Sequence, residues 1–287
     1  MTIIVTGATG HLGRLAVEHL LARGVAASDI VAAGRNAEKL AELDALGVRT
    51  ATIDFADPAS LDATFTGADA LVLVSASEPG QRLTQHTNAI EAAKRAGVAR
   101  IVYTSAPQAT TSALVLAPDH KATEELITAS GVPFMILRNN WYNENYAGSF
   151  AQAVESGVHR AGTGEGRVAS ASRSDYAEAI AAVLTSEGHL GKVYELSGDS
   201  AWNGEEFAAA AASASGRPVE FVPVSFDEQV AGLKAAGLDE GTASFVATLD
   251  ANIAAGTLAT VTPDLVTLIG HPTTPLVDYF RSQATTA

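Results

Sequence analysis

Eight residues near the amino terminus, Thr6-Gly7-Ala8-Thr9-Gly10-His11-Leu12-Gly13, combine residue types and a spacing suited to gripping a pyrophosphate. They follow a β-branched run, Ile3-Ile4-Val5, and open an amphipathic stretch from about His11 to Ala22. There Leu12, Leu15, Ala16, His19 and Leu20 recur at helical spacing. In a strand–turn–helix of this kind Gly7 allows the tight turn and Gly10 lets backbone N–H groups approach the anion. Gly13 lets the helix pack closely on the sheet. The unpaired N–H groups and the positive dipole end of the helix then face the phosphates. Glycines also punctuate ordinary turns, but strand, turn and helix in this order favour a dinucleotide site spanning Gly7, Ala8, Thr9, Gly10, His11, Leu12 and Gly13.

A second feature follows the next apolar run, Ile30-Val31-Ala32-Ala33, where the chain reads Gly34-Arg35-Asn36. Sites that prefer NAD carry an acid at this point, to accept from the ribose 2′-hydroxyl. A carboxylate repels a 2′-phosphate, whereas a guanidinium holds it by charge-assisted bonds. The residues therefore favour NADP(H), with Lys39 available as a second cation; the competing reading is a merely solvated Arg35. Asp54, just past the third strand, is placed to accept from the adenine amino group, and an exposed loop carboxylate is the equal alternative.

The elements that must position these residues alternate. Strands are expected at Val48–Ile53, Leu71–Val74, Ile101–Tyr103 and Phe134–Leu137, separated by helices that carry Leu40, Leu43 and Leu46, then Ile90, Ala93 and Ala96, then a segment ending near Gly131. Short apolar strands between helices imply a parallel sheet covered on both faces. The expected fold is α/β, a Rossmann-type doubly wound parallel sheet with a smaller mixed C-terminal lobe. Residues 1–155 are expected to form the NADP(H)-binding domain, with return elements around 173–198, and residues 156–287 mainly the smaller substrate-binding lobe. In that lobe helices are read at Ala177–Leu184 and Phe207–Ala214, and strands at Val193–Leu196 and Val219–Val224.

Composition narrows the function classes. The chain has 287 residues, 18 Lys+Arg against 32 Asp+Glu, a formal charge of −14 and no cysteine. Such an acidic surface repels phosphate backbones, so nucleic acid is not an expected partner. Disulfides are impossible, no run of apolar residues is long enough to span a membrane, and the first residues lack a secretory pattern. The expectation is a soluble cytoplasmic protein; a homo-oligomer is compatible with it. The seven histidines, at 11, 19, 86, 120, 159, 189 and 271, form no recognised ligand spacing, so no metal site is expected. There is no Gly-x-Ser-x-Gly elbow and no cysteine nucleophile. The paired carboxylates Glu124-Glu125 and Glu205-Glu206 read as solvated helix faces, Gln81-Arg82 as a surface pair at a helix start with contact to substrate the alternative, and His86 as core.

Together with these features, Leu137-Arg138-Asn139-Asn140-Trp141-Tyr142-Asn143-Glu144-Asn145-Tyr146, Gly191-Lys192-Val193-Tyr194-Glu195-Leu196 and Leu268-Ile269-Gly270-His271-Pro272 give the chain a family likeness. It resembles the NmrA-like atypical short-chain dehydrogenase/reductases, and within them the bacterial type-2 NAD(P)H:quinone oxidoreductases, with triphenylmethane dye reductases as close relatives. The resemblance implies a Rossmann core with NADPH across the carboxyl edge of its sheet. It implies that Ser75, Ala76 and Ser77 pass near a ribose, and that Asn139, Asn140, Trp141, Tyr142, Asn143 and Glu144 border the nicotinamide and the substrate.

One departure shapes the chemistry. The wider superfamily protonates a carbonyl with a Tyr and a Lys four positions later, and this chain has no such pair near the helix after the fifth strand. By the resemblance, His120 stands where many relatives carry a functional Lys, and Ser105 where a catalytic Ser is common; Ser105 equally reads as a cap on its strand. Without an organised acid, ordinary ketones are poor substrates. A quinone accepts hydride readily and yields a delocalised phenolate, so positioning suffices. Trp141 and Tyr142 are candidate aromatic walls, with core packing the alternative for both; His120 and Tyr142 are the candidate proton donors. The expected activity is hydride transfer from NADPH to a quinone or similar flat electrophile. The alternatives are a reductase of cationic triphenylmethane or azo dyes, and an NADP(H)-binding redox sensor without turnover.

Overall fold

The computed structural model describes residues 1–76, 78 and 80–284. In chain order the elements begin with β1 (Ile3–Val5), α1 (His11–Ala22), β2 (Ile30–Gly34), α2 (Ala37–Asp44), β3 (Arg49–Thr52) and α3 (Pro58–Phe65). They continue through β4 (Ala70–Leu73), α4 (Arg82–Ala96), β5 (Arg100–Ser105), α5 (Ala117–Ser130), β6 (Phe134–Asn139), α6 (Ala147–Ser156) and β7 (Val158–Ala161). The remainder comprises α7 (Arg173–Thr185), β8 (Val193–Leu196), α8 (Gly204–Ser215), β9 (Glu220–Pro223), α9 (Phe226–Ala235), α10 (Glu240–Ala254), α11 (Asp264–Ile269) and α12 (Leu276–Ala284). Among the described residues no helix is long and apolar enough to cross a membrane.

Seven strands form one sheet in the order β3-β2-β1-β4-β5-β6-β8. Neighbours from β3 through β6 run parallel; Ile4 of β1 is level with Val31 of β2 on one side and with Leu71 of β4 on the other. The strand order reverses between β1 and β4, and ligands of open parallel sheets bind at the carboxyl ends of strands at that point. The inner strands β1, β2 and β4 are wholly apolar or small because both faces are covered, whereas β3 at the sheet edge, Arg-Thr-Ala-Thr, is largely exposed. Ile4, Leu71, Ile101 and Ile136 pack with Leu61, Phe65, Ile90 and Ala93 from the crossover helices. Full burial of each large aliphatic side chain contributes about 1.5–3 kcal/mol. On α1 the buried stripe is Leu12, Gly13, Ala16, Val17 and Leu20, while Leu15 and His19, expected on the apolar face, are only partly covered.

The chain forms two compact units. The first comprises Met1–Thr110, Leu116–Asn139 and Arg173–Glu195 and contains the glycine turn; the second comprises Thr111–Val115, Asn140–Ser172 and the chain from Leu196 on. The division falls at Asn139 rather than at residue 155. The reason is α6, which sits in the second core: Phe150 stacks on Phe280 with centroids 4.4 Å apart, and Phe207 meets Phe280 edge-on at 5.1 Å. A small parallel pair, β7 with β9, accompanies these helices in the second unit. β9 falls within the strand expected at Val219–Val224, whereas β7 is not among the expected strands, its four residues Val-His-Arg-Ala alternating too briefly to stand out.

Candidate cofactor and active site

The glycine turn meets its geometric requirements residue by residue. Gly7 has φ +63°, in the left-handed region that a side chain disfavours. Gly10 caps α1 without a side-chain hydrogen bond, and no acid occupies the first turn, so the N–H groups at this helix end are not taken up by a capping side chain. Gly13 has no room for anything larger: a Cβ there falls 2.3 Å from the Gly7 carbonyl oxygen and 2.9 Å from the Cα of Ala8. Ala8 is buried and its N–H donates to the Ala33 carbonyl at 3.0 Å, tying the turn to β2.

Thr6, just past β1, opens the motif but has no role of its own legible in the sequence. Its hydroxyl donates to the Val72 carbonyl at 3.0 Å and accepts from the Val74 N–H at 3.2 Å. That stitch holds the segment after β4 beside the glycine turn. The Ser75 N–H donates to the Thr104 hydroxyl at 2.9 Å, and the Ala76 N–H donates to Nε2 of His86 at 2.9 Å. His86 therefore carries its proton on Nδ1, from which it donates to the Thr123 hydroxyl at 2.9 Å. The expectation that His86 is core holds, with the addition that it fixes a loop. Arg82 is not a surface residue as expected: its side chain is 13% exposed, because its Nε donates to the Ala76 carbonyl at 2.7 Å and the guanidinium pairs with Asp119 at 3.3 Å.

Turn and loop enclose a cavity of about 370 Å³ in the first unit, a volume within the range of ligand clefts. Of the residues expected to bind cofactor, it is lined by Gly7, Thr9, Gly10, His11, Leu12, Gly13, Arg35, Asp54, Ser75 and Ala76. Ser77 lies outside the described residues. Lining residues that the sequence did not single out for the cavity include Gly34, Ile53, Phe55, Glu78, Gln85 and Arg173. Gly34 is a glycine for a packing reason: a Cβ there falls 2.7 Å from the Thr9 side chain. Arg173 gave no local signal, because it arrives on the return helix α7.

Arg35 is set at its post by the next residue, since the Asn36 side chain caps α2 by accepting from the Lys39 N–H at 3.0 Å. The Arg35 guanidinium is largely exposed within the cavity and pairs with the Glu78 carboxylate, whose second oxygen accepts from Gln85 Nε2 at 2.6 Å. Those two contacts, Arg35 first, hold the Glu78 carboxyl below its usual range. Asp54 is exposed and accepts from the N–H of Ala56 at 2.8 Å. These residues fit a phosphorylated dinucleotide: a capless helix end for the pyrophosphate, and a cation at the end of β2.

His120 sits elsewhere. It is buried, with Nδ1 2.8 Å from the Tyr103 hydroxyl. Burial, with the nearby Arg82 charge adding to it, pulls its pKa down to about 3, so the ring is neutral at pH 7 and has no imidazolium proton to donate. Ser105 is also buried and donates to Glu124 at 2.6 Å. Glu124, expected on a solvated face, is buried instead: Arg138 clasps it through Nε at 2.9 Å and Nη2 at 2.6 Å, and reaches Glu195 through Nη1 at 2.7 Å. Glu206 is exposed as expected and closes the capping box of α8.

The Arg138–Tyr146 stretch is thus built largely from structural clamps. Asn139 ends β6 and is buried. In the second unit, Asn140 donates from its backbone to the Leu196 carbonyl at 2.9 Å and from Nδ2 to the Leu258 carbonyl at 3.3 Å. Asn143 donates to the Thr274 carbonyl at 2.9 Å and accepts from Ser170 at 2.6 Å. Trp141 and Tyr142 are both partly exposed; Tyr142 forms an isolated parallel bridge with Ala171, and Glu144 follows in a short 3₁₀ turn.

A family model described as NAD(P)H-binding matches residues 7–187. The chain is 45% identical to quinone oxidoreductase 2 of Escherichia coli K12 over 276 residues, covering 96% of each chain. The crystal structure of the NADPH-dependent E. coli quinone oxidoreductase, complexed with NADPH, superposes with a TM-score of 0.94 at 44% identity, covering 98% of this chain and 99% of that one. The Citrobacter sp. triphenylmethane reductase complexed with NADP(H) also gives a TM-score of 0.94, at 38% identity, over 99% of this chain and all of that one.

Proposed function

The chain belongs to the NAD(P)H-binding family, and from that premise we propose that it is an NADPH-dependent quinone reductase. The single observation that carries the reading is the full-length likeness to the E. coli quinone oxidoreductase, at 45% identity. The cavity supports the cofactor assignment. Gly7, Thr9, Gly10, Leu12 and Gly13 are the residues to hold the pyrophosphate, Arg35 the 2′-phosphate, Asp54 the adenine side, and Ser75 and Ala76 the neighbouring ribose.

NADPH, when bound, supplies a hydride; with one proton, that reduces a quinone to its hydroquinone and leaves NADP⁺. The protein's share is to bind and orient. Thr6, Thr104 and His86 hold Val74, Ser75 and Ala76 beside the turn, so that part of the cradle is preformed. A neutral, buried His120 has no imidazolium proton to give, and a quinone needs little help with its developing charge. Tyr142 remains the candidate proton donor, with Trp141 and the segment Asn139–Glu144 proposed to border the nicotinamide and acceptor. The likeness to the Citrobacter triphenylmethane reductase, together with the charge of −14, supports cationic dyes as a second acceptor class.

Purified protein mixed with NADPH and p-benzoquinone is expected to consume the coenzyme well above the uncatalysed rate, and faster than with a simple ketone. A rate equal to background would remove the proposal.

A further inference from the structure

The carboxylate of Glu78 faces a cavity wall where an acid is unexpected, because a 2′-phosphate is to be seated on the adjacent guanidinium. Resting on the reading of that cavity as the coenzyme site, we propose that Glu78 is a specificity-determining residue. It holds Arg35 when no coenzyme is bound, is exchanged for the 2′-phosphate of NADPH, and accepts the ribose 2′-hydroxyl of NADH.

Three observations carry this. Arg35 leaves the end of β2 and Glu78 lies on the connection between β4 and α4, so the pair joins two segments lining one cavity. Glu78 is also held from behind: Gln85, buried in the first turn of α4, donates to its other oxygen at 2.6 Å. The carboxylate is therefore aimed rather than loose. Finally, the end of β2 reads Arg35-Asn36, with no acid where NAD-preferring sites carry one. The acceptor for a ribose hydroxyl is then supplied from the connection between β4 and α4, beside Arg35.

The energetics fit an exchange. A half-exposed ion pair is weak and readily displaced, and a phosphate of higher charge competes successfully for a guanidinium. The carboxylate still opposes the phosphate by competing for Arg35 and by like-charge repulsion, which lowers discrimination between the two coenzymes. With Glu78 neutralised, that opposition disappears, and the acceptor for NADH weakens with it.

The test uses calorimetric titration of the full chain and of Glu78→Gln with 2′,5′-ADP and with 5′-AMP, followed by NADPH and NADH. The substitution is expected to shift the ratio of affinities about fivefold toward 2′,5′-ADP, and the NADPH/NADH ratio in the same direction. Equal changes for both fragments, or none, would overturn the role of Glu78 while leaving the coenzyme site standing. Binding of neither fragment nor coenzyme by the unmodified protein would instead overturn the site itself.

Discussion

Gly13 shows how much a single position can be made to carry. Its missing Cβ is what allows α1 to start against the carbonyl of Gly7, since an added methyl falls 2.3 Å from that oxygen and 2.6 Å from its carbon. Backbone atoms cannot step aside as a flexible side chain would. Gly13→Ala is therefore expected to lower stability by about 1–3 kcal/mol, the usual range for overpacking, and to weaken NADPH binding because the turn is displaced. Urea unfolding with a parallel coenzyme titration checks both; an unchanged midpoint would contradict the cradle as described. At this scale the turn and Arg35 were legible because strand, glycine spacing and helix are all local. Glu78, Gln85 and Arg173 were not, because each reaches the cavity from a later segment and has meaning only once the sheet is assembled.

At the scale of elements, the tie between α5, β6 and β8 runs through one guanidinium. Arg138 on β6 clasps Glu124 of α5 with two nitrogens and Glu195 of β8 with a third, and Ser105 of β5 donates to the same Glu124. Glu124 is 5% exposed, so removing it strips Arg138 of its bidentate partner in a poorly solvated place, leaving Glu195 as its one carboxylate here, and takes the acceptor from the buried Ser105 hydroxyl. Glu124→Ala is expected to cost about 3–5 kcal/mol, the range for breaking a buried pair, with denaturant unfolding as the measurement. A loss below about 1 kcal/mol, the worth of an exposed pair, would return Glu124 to the solvated face expected from sequence. That expectation failed for a physical reason. On helix spacing alone Glu124 and Glu125 look alike, and only the arrival of Arg138 on the adjacent strand makes one of them interior. The strands of the sheet were readable because burial on both faces leaves continuous apolar runs. The helices α9–α12 were not, because much of their surface faces solvent and α9 contains no buried residue.

For the molecule as a whole, buried histidines set the response to acid. Burial pulls His86 and His120 to about 3 and His159 to about 4, against an ordinary histidine value of 6.5. In each case the unfolded chain binds the proton more readily than the folded one, so this stability is present above pH 6.5 and is lost as pH falls toward the folded values. Each ring contributes a slope of about 1.4 kcal/mol per pH unit near pH 5. Relief of repulsion on an acidic surface works in the opposite direction, so the clean readout is a difference. The stability of His120→Asn is expected to fall less steeply between pH 6.5 and 5 than that of the unmodified chain, by about 1.1 kcal/mol per unit averaged over that window. Parallel slopes would mean that His120 takes up a proton while folded.

Arg35 is the proposed receptor for the 2′-phosphate in a family that binds NAD(P)H. Calorimetric titration of NADPH and NADH into the unmodified protein and into Arg35→Ala tests this most directly. The predicted result is NADPH affinity reduced by on the order of tenfold or more, about 1.4 kcal/mol or greater, with NADH affinity changed little. Equal losses for both coenzymes, or no binding of NADPH by the unmodified protein, would contradict it.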